Sequence, residues 1–222
     1  MIPKIAWIHW HDPQNMPWLR LKSVSTFREH NPGWDVRLIG TPDDMRGKGL
    51  EYAHEADWTW WRMLSQSGGF LVASDAISIA PIPDEWLDAE LAVQARGGDV
   101  YQFPVLGAVE GNELMRRAEV YCQTNCDARL GYQSFGVDML RRITNGEVDR
   151  FGEVFRIPEQ AYCFYDWNQD PYALWSDDGP AKELPADAVG LHWYGGHVES
   201  VRKEPGSGPE GTSWLERWAT DK

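Results

Sequence analysis

Hydrophobic positions along this chain alternate between a period near two and a period near 3.6, and each switch marks an element. Residues 4–10 form a short apolar-rich run that reads as a strand. Pro17 then opens a helix to about His30, with Trp18, Leu21, Val24 and Phe27 as its apolar stripe. Asn31-Pro32-Gly33 breaks that helix, residues 34–39 alternate as a second strand, and residues 41–49, rich in Asp, Gly and Lys, form a loop. Residues 57–67 read as a helix on which Asp57, Trp60, Trp61 and Leu64 share one face, with Gly68 at the left-handed C-cap position. The next stretch, 68–81, describes a buried strand that delivers Asp75 to its carboxyl end, the edge where open α/β sheets bind ligands. Run antiparallel, that helix and strand would bring Asp57 and Asp75 to the same end.

Further along, residues 77–79, 91–96 and 105–109 are strand candidates, the last two separated by a Gly97-Gly98 turn. Residues 112–123 and 134–144 look helical, with Asn112 as an N-cap. The stretch 158–187 is rich in Pro, Asp and aromatic residues and reads as irregular, while 189–193 is a last strand ending in Tyr194-Gly195-Gly196-His197. Alternating units of this kind predict an α/β, Rossmann-like single domain with a mainly parallel central sheet flanked by helices. That domain is expected over 1–203, with 204–222 as a flexible linker and a short C-terminal helix at 212–219.

Composition narrows the function classes. The 222 residues are 42% hydrophobic, enough for one sizeable core. A formal net charge of −13 argues against a broad nucleic-acid surface or docking on anionic lipid, and favours a small neutral or metal-bridged substrate. Three cysteines without a pairing pattern, and no apolar run near the length of a membrane span, predict a cytoplasmic protein without membrane insertion. Cys122 and Cys126 share helical spacing but lack the second ligand pair of a structural zinc site. Thirteen tryptophans suggest a stacking or sugar-binding surface besides the core.

Two acids at one sheet edge suggest a metal or polyol site, although Asp57 also fits a helix's first turn and Asp75 an ordinary turn. A different class comes from His9-Trp10-His11-Asp12, where two histidines at i, i+2 would lie on one strand face, as in metal-dependent hydrolases built on a closed parallel barrel.

Four segments, in order, resemble the sugar-nucleotide glycosyltransferases with a DXD motif, in particular capsular polysaccharide synthesis and α-mannosyltransferase-like proteins. They are IPKIAWIHW followed by Met16-Pro17; Asp57, Leu64, Gly68-Gly69, Asp75 and Pro81; Gly107 to Arg117; and Leu191-His192-Trp193. The resemblance implies a GT-A-like fold, a nucleoside diphosphate sugar donor, a glycan or other hydroxyl acceptor, transfer with retention, and Mn2+ or Mg2+ held by Asp75 and His192, with His197 in reserve. Asp57 and Asp75 become the catalytic candidates, and Trp10 resembles the aromatic that stacks on the donor base. Trp7, Trp60, Arg62, Ser74, Gln133, Asp138, Trp193 and His197 join Trp10 and Asp57 as substrate-binding candidates. The implied arrangement has residues 57, 75 and 192 converging on one cation and its diphosphate. Two positions depart from the pattern. The metal motif reads Ala73-Ser74-Asp75 and so lacks its first acid, and Trp60 stands where the family has an arginine, with Arg62 out of register. These departures leave open a weaker metal site, a different donor, or a non-catalytic binder of sugar nucleotides or glycans.

Overall fold

The computed structural model describes residues 1–46, 48–96, 98–126, 131–162, 170–181 and 183–222, with the side chains of all of these except Arg96, Gln102 and Asp170. The chain forms two compact units, one of residues 1–13, 33–73 and 83–157, the other of 14–32, 74–82 and 158–222.

The first unit holds a sheet of β1 (Ile5–His9), β2 (Asp35–Ile39), β3 (Gly69–Val72), β5 (Leu91–Arg96), β6 (Asp99–Ala108) and β7 (Val154–Arg156) in the order β2-β1-β3-β6-β5-β7. β1 runs parallel to β2 and β3, but β6 is antiparallel to both β3 and β5, and β7 is parallel to β5. The sheet is thus mainly parallel, as expected, with β6 alone reversed. The reason is local: only two residues separate β5 from β6, and so short a connection can join strands only as an antiparallel pair. β6 also begins at Asp99, six residues before the predicted start, because it is long enough to pair with two neighbours.

Helices flank this sheet. α2 (Tyr52–Ser67) packs on β1, β3 and β6, α4 (Val137–Thr144) on β6, and α3 (Glu113–Asn125) on α2 and α4. α2 starts five residues before its predicted start and buries Asp57, Trp60, Trp61 and Leu64 together, as their spacing requires. Burying side chains such as Trp61, Leu64 and Phe70 contributes about 1.5–3 kcal/mol each. Gly68 ends the helix at φ 64°, and Asn112 caps α3 by accepting from the Leu114 N–H.

The second unit pairs β4 (Ala76–Ser78) with β8 (Gly190–His192), antiparallel, beneath α1 (Trp18–His30). The buried face of α1 carries Leu19, Arg20, Ser23, Val24 and Phe27, while Leu21 is 48% exposed. The observed face is rotated from the predicted stripe, since i, i+3, i+4, i+7 from Arg20 traces it. Residues 204–222 belong to this unit instead of trailing from it. Glu204 is buried in a 3-10 turn, and α7 (Trp214–Thr220) seats Leu215 and Ala219 against Leu19, Ile77, Leu191 and Trp193. Ser213 and Glu216 form a capping box that fixes where α7 starts. Within the irregular stretch 158–187, α5 (Asp170–Leu174) is a short helix, and residues 163–169 and 182 lie outside the described residues.

Candidate active site

In the second unit the pairing of β4 with β8 brings Asp75, just before β4, beside His192 at the end of β8, two residues 117 positions apart. The register Ala76↔His192 is continued by a Trp193 N–H bond to the Asp75 carbonyl at 3.0 Å. The Asp75 carboxylate Oδ2 stands 3.3 Å from His192 Nε2 and accepts the Gly195 N–H at 2.7 Å. Burial alone would raise this carboxyl, but the His192 imidazole, the Arg20 guanidinium and the Gly195 N–H together hold it far below the ordinary carboxylate range.

Arg20 is itself buried. It donates to both Glu204 oxygens at 2.6 and 3.0 Å and to Ser74 Oγ at 2.9 Å, and its guanidinium lies 4.8 Å from the Trp193 ring. A Cβ at Gly195 would collide with Arg20 Nη2, so a larger residue there would displace the guanidinium. Ser74 and Trp193, both predicted to touch substrate, are here buried partners of Arg20. His197 caps α6 (Val198–Lys203), its Nδ1 accepting the Glu199 N–H at 3.2 Å, and its ring meets Tyr172 edge-on.

Two donor atoms at right angles around a cation, each about 2.1 Å from it, lie about 3 Å apart, so a carboxylate oxygen and an imidazole nitrogen separated by 3.3 Å fit one shared ion. Among the described residues no third His, Cys, Asp or Glu joins them. The remaining coordination of such an ion would have to come from oxygens of solvent or ligand.

The first unit holds Asp57, 7% exposed, with no hydrogen bond from any described residue. Burial pushes its carboxyl well above the ordinary value and, together with Asp57, pushes the neighbouring Cys122 thiol up. Gly136, just before α4, faces this acid: a Cβ there would lie 2.9 Å from Asp57 Oδ2 and 2.8 Å from Gln133 Oε1. Asp57 and Gln133 therefore do converge, on the face of Gly136. One turn along α2, the Trp60 indole N–H is buried and has no hydrogen-bond partner among the described residues.

Other predicted residues take other parts. Trp7 is core: its N–H donates to the Gly68 carbonyl at 2.8 Å and Arg37 covers its ring. Arg62 makes a two-pronged pair with Asp44 at 2.9 Å. Asp138 is exposed in the first turn of α4. Trp10, half-buried beyond β1, packs against His11 at 4.7 Å. His9 and His11 do not form the paired ligands of the hydrolase alternative. His9 bonds Thr41 at 3.2 Å, and burial, aided by His11, pulls its imidazole down to about 4, while His11 stacks on Tyr52. The open mixed sheet is also not the closed parallel barrel that alternative requires. A surface cleft of about 620 Å³ along α3, lined by Arg116, Arg117, Val120 and Tyr121 among others, contains none of the predicted site residues.

Sequence reasoning missed Arg20, Glu204, Tyr194 and Gly195. A signal for Arg20 was present, since it lies on the helical face that also carries Val24 and Phe27; nothing in the sequence paired it with Glu204, 184 positions away.

Among solved structures, a glycosyltransferase involved in the glycosylation of the major capsid of PBCV-1 is 12% identical, with a TM-score of 0.55 over 91% of this chain and 98% of its own. The galactosyltransferase LgtC, in complex with donor and acceptor sugar analogs, is 12% identical at a TM-score of 0.54 over 98% and 94%. The apo-form glycosyltransferase GlyE of Streptococcus pneumoniae TIGR4 is 11% identical at 0.52, matching all of this chain but 60% of its own. No family model and no curated protein matches the chain. At these identities the likeness defines the fold, which is the α/β, GT-A-like one that these glycosyltransferases share. Among the described residues no helix is long and apolar enough to cross a membrane.

Proposed function

We propose that this protein is a glycosyltransferase that moves a sugar from a nucleoside diphosphate sugar to a hydroxyl acceptor, with retention of configuration, using Mn2+ or Mg2+ held by Asp75 and His192. The observation that carries this reading is the meeting of Asp75 and His192 at 3.3 Å at the ends of two paired strands, in a fold shared with three glycosyltransferases. When bound, the cation offsets the charge that gathers on the leaving diphosphate. The network around Asp75 keeps that carboxylate ionised and oriented, so it is ready to act as a hard oxygen ligand without first losing a proton.

The first unit suits polyhydroxyl binding. Among the described residues Asp57 has no donor and the Trp60 N–H no acceptor, and sugar hydroxyls, which both donate and accept, satisfy groups of both kinds. In transfer, the bond from the anomeric carbon to the diphosphate oxygen breaks and its electron pair stays on that oxygen. The acceptor oxygen bonds to the carbon and releases its proton. Within the first unit, Asp57 and Gln133 can orient sugar hydroxyls.

The test is a screen of nucleoside diphosphate sugars for Mn2+-dependent hydrolysis or transfer, with Asp75→Ala beside the wild type. Turnover that falls by about 100-fold or more in the variant is expected. Absence of cation-dependent turnover with every donor would overturn the proposal. Ala73, standing where the first acid is expected, favours one second reading, a binder that does not turn over its ligand; it predicts donor-induced thermal stabilisation that EDTA and Asp75→Ala leave unchanged.

A further inference from the structure

Tyr194 sits in the left-handed backbone region at φ 54° and is 4% exposed. Among the described residues, the other non-glycine at positive φ is Asn145, which closes α4 in the left-handed conformation that asparagine tolerates at helix ends. A tyrosine there is strained and persists only where its surroundings hold it in place.

The kink has a readable effect. If the antiparallel pairing of β4 and β8 simply continued past Trp193, residue 195 would fall two residues further along the partner strand. Instead the left-handed turn brings the Gly195 N–H back onto Asp75, so that Trp193 and Gly195 donate to the carbonyl and the carboxylate of the same residue. Glycine at 194 would take this conformation without strain, and the chain has glycine at both following positions. The tyrosine side chain must therefore offset the strain, and its ring packs on the His192 imidazole with centroids 4.3 Å apart.

We propose that Tyr194 is a positioning residue for the Asp75–His192 pair, its backbone aiming the Gly195 N–H at Asp75 and its ring fixing the orientation of the His192 imidazole. As a cation-site device this rests on the transferase reading, but its geometric content does not. Removing an outer partner of this kind lowers metal affinity by about 10–100-fold.

The experiment compares Tyr194→Phe, Tyr194→Leu and Tyr194→Gly with the wild type. Three quantities are measured: Mn2+ affinity from the free-ion EPR signal, the His192 ring-proton NMR shift without metal, and thermal stability. Phe should match the wild type in the first two. Leu should keep the apolar bulk yet lose the ring-current displacement of His192 and at least about tenfold in Mn2+ affinity. Gly removes the strain, so it guards against a variant that fails merely by misfolding, and it should show the same two losses. Leu or Gly variants that keep the wild-type His192 shift would overturn the proposal, as would wild-type Mn2+ affinity in them. A wild-type protein that binds no Mn2+ while its His192 shift responds as described would refute the metal reading and leave the positioning role standing.

Discussion

Asp57 in the first unit is buried and Asp75 in the second is partly buried, and what separates them is the company of the carboxylate. Asp75 has an imidazole, a guanidinium and a peptide N–H around it and stays ionised far into acid. Asp57 has no bond from any described residue, and burial alone drives its carboxyl up. Desolvation acts on both; counter-charge acts on one. The contrast sets opposite pH slopes. A depressed carboxyl stabilises the fold above the ordinary carboxylate range and loses that contribution as pH falls below it. A raised one contributes fully below its unfolded value and loses that contribution as pH rises towards its folded one. A finished ionic network and an acid left waiting for a partner are thus distinguishable by titrating stability.

The strongest way to break the contrast is Arg20→Met, which strands Glu204 in the interior and strips Asp75 of a cation. A loss of about 3–5 kcal/mol is expected by urea denaturation, and the Arg20→Met, Glu204→Met double variant should recover most of it. A single variant within 1 kcal/mol of the wild type, roughly the value of a surface pair, would mean that the network does not set the state of Asp75. On the other side, Asp57→Asn should raise stability at pH 8 by about 1–3 kcal/mol, with the advantage shrinking towards pH 4. Thermal melts across that range check it, and a difference independent of pH would show that ionisation of Asp57 is not what burial opposes. The smallest effect marks the baseline. Asp35→Asn opens an exposed pair with Arg37 and should change stability by no more than about 0.5–1 kcal/mol, an effect removed by high salt.

The elements with strong periodicity or punctuation are legible in the sequence: β1, β2, the body of α2, the Asn112 cap and the strand that leads to His192. β7 is not, because three residues paired at a sheet edge carry no period of their own. The α1 stripe comes out wrong when it is traced through apolar residues alone. Its buried face includes Arg20 and Ser23, which are tolerated inside because Glu204, Ser74 and the Leu19 carbonyl satisfy them.

By itself the sequence determined the kinds of element, their order, and which acids and histidines fall near strand ends and helix faces, since these follow from local spacing and turn chemistry. Only the tertiary structure decided that β6 runs antiparallel to β3, that Asp75 meets His192 and Gly195, that Arg20 is neutralised by Glu204, and that Asp57 has no counterpart among the described residues. Those are contacts between residues tens to hundreds of positions apart. Their energy depends on burial and on charges brought close in space, which neighbouring letters in the chain do not encode.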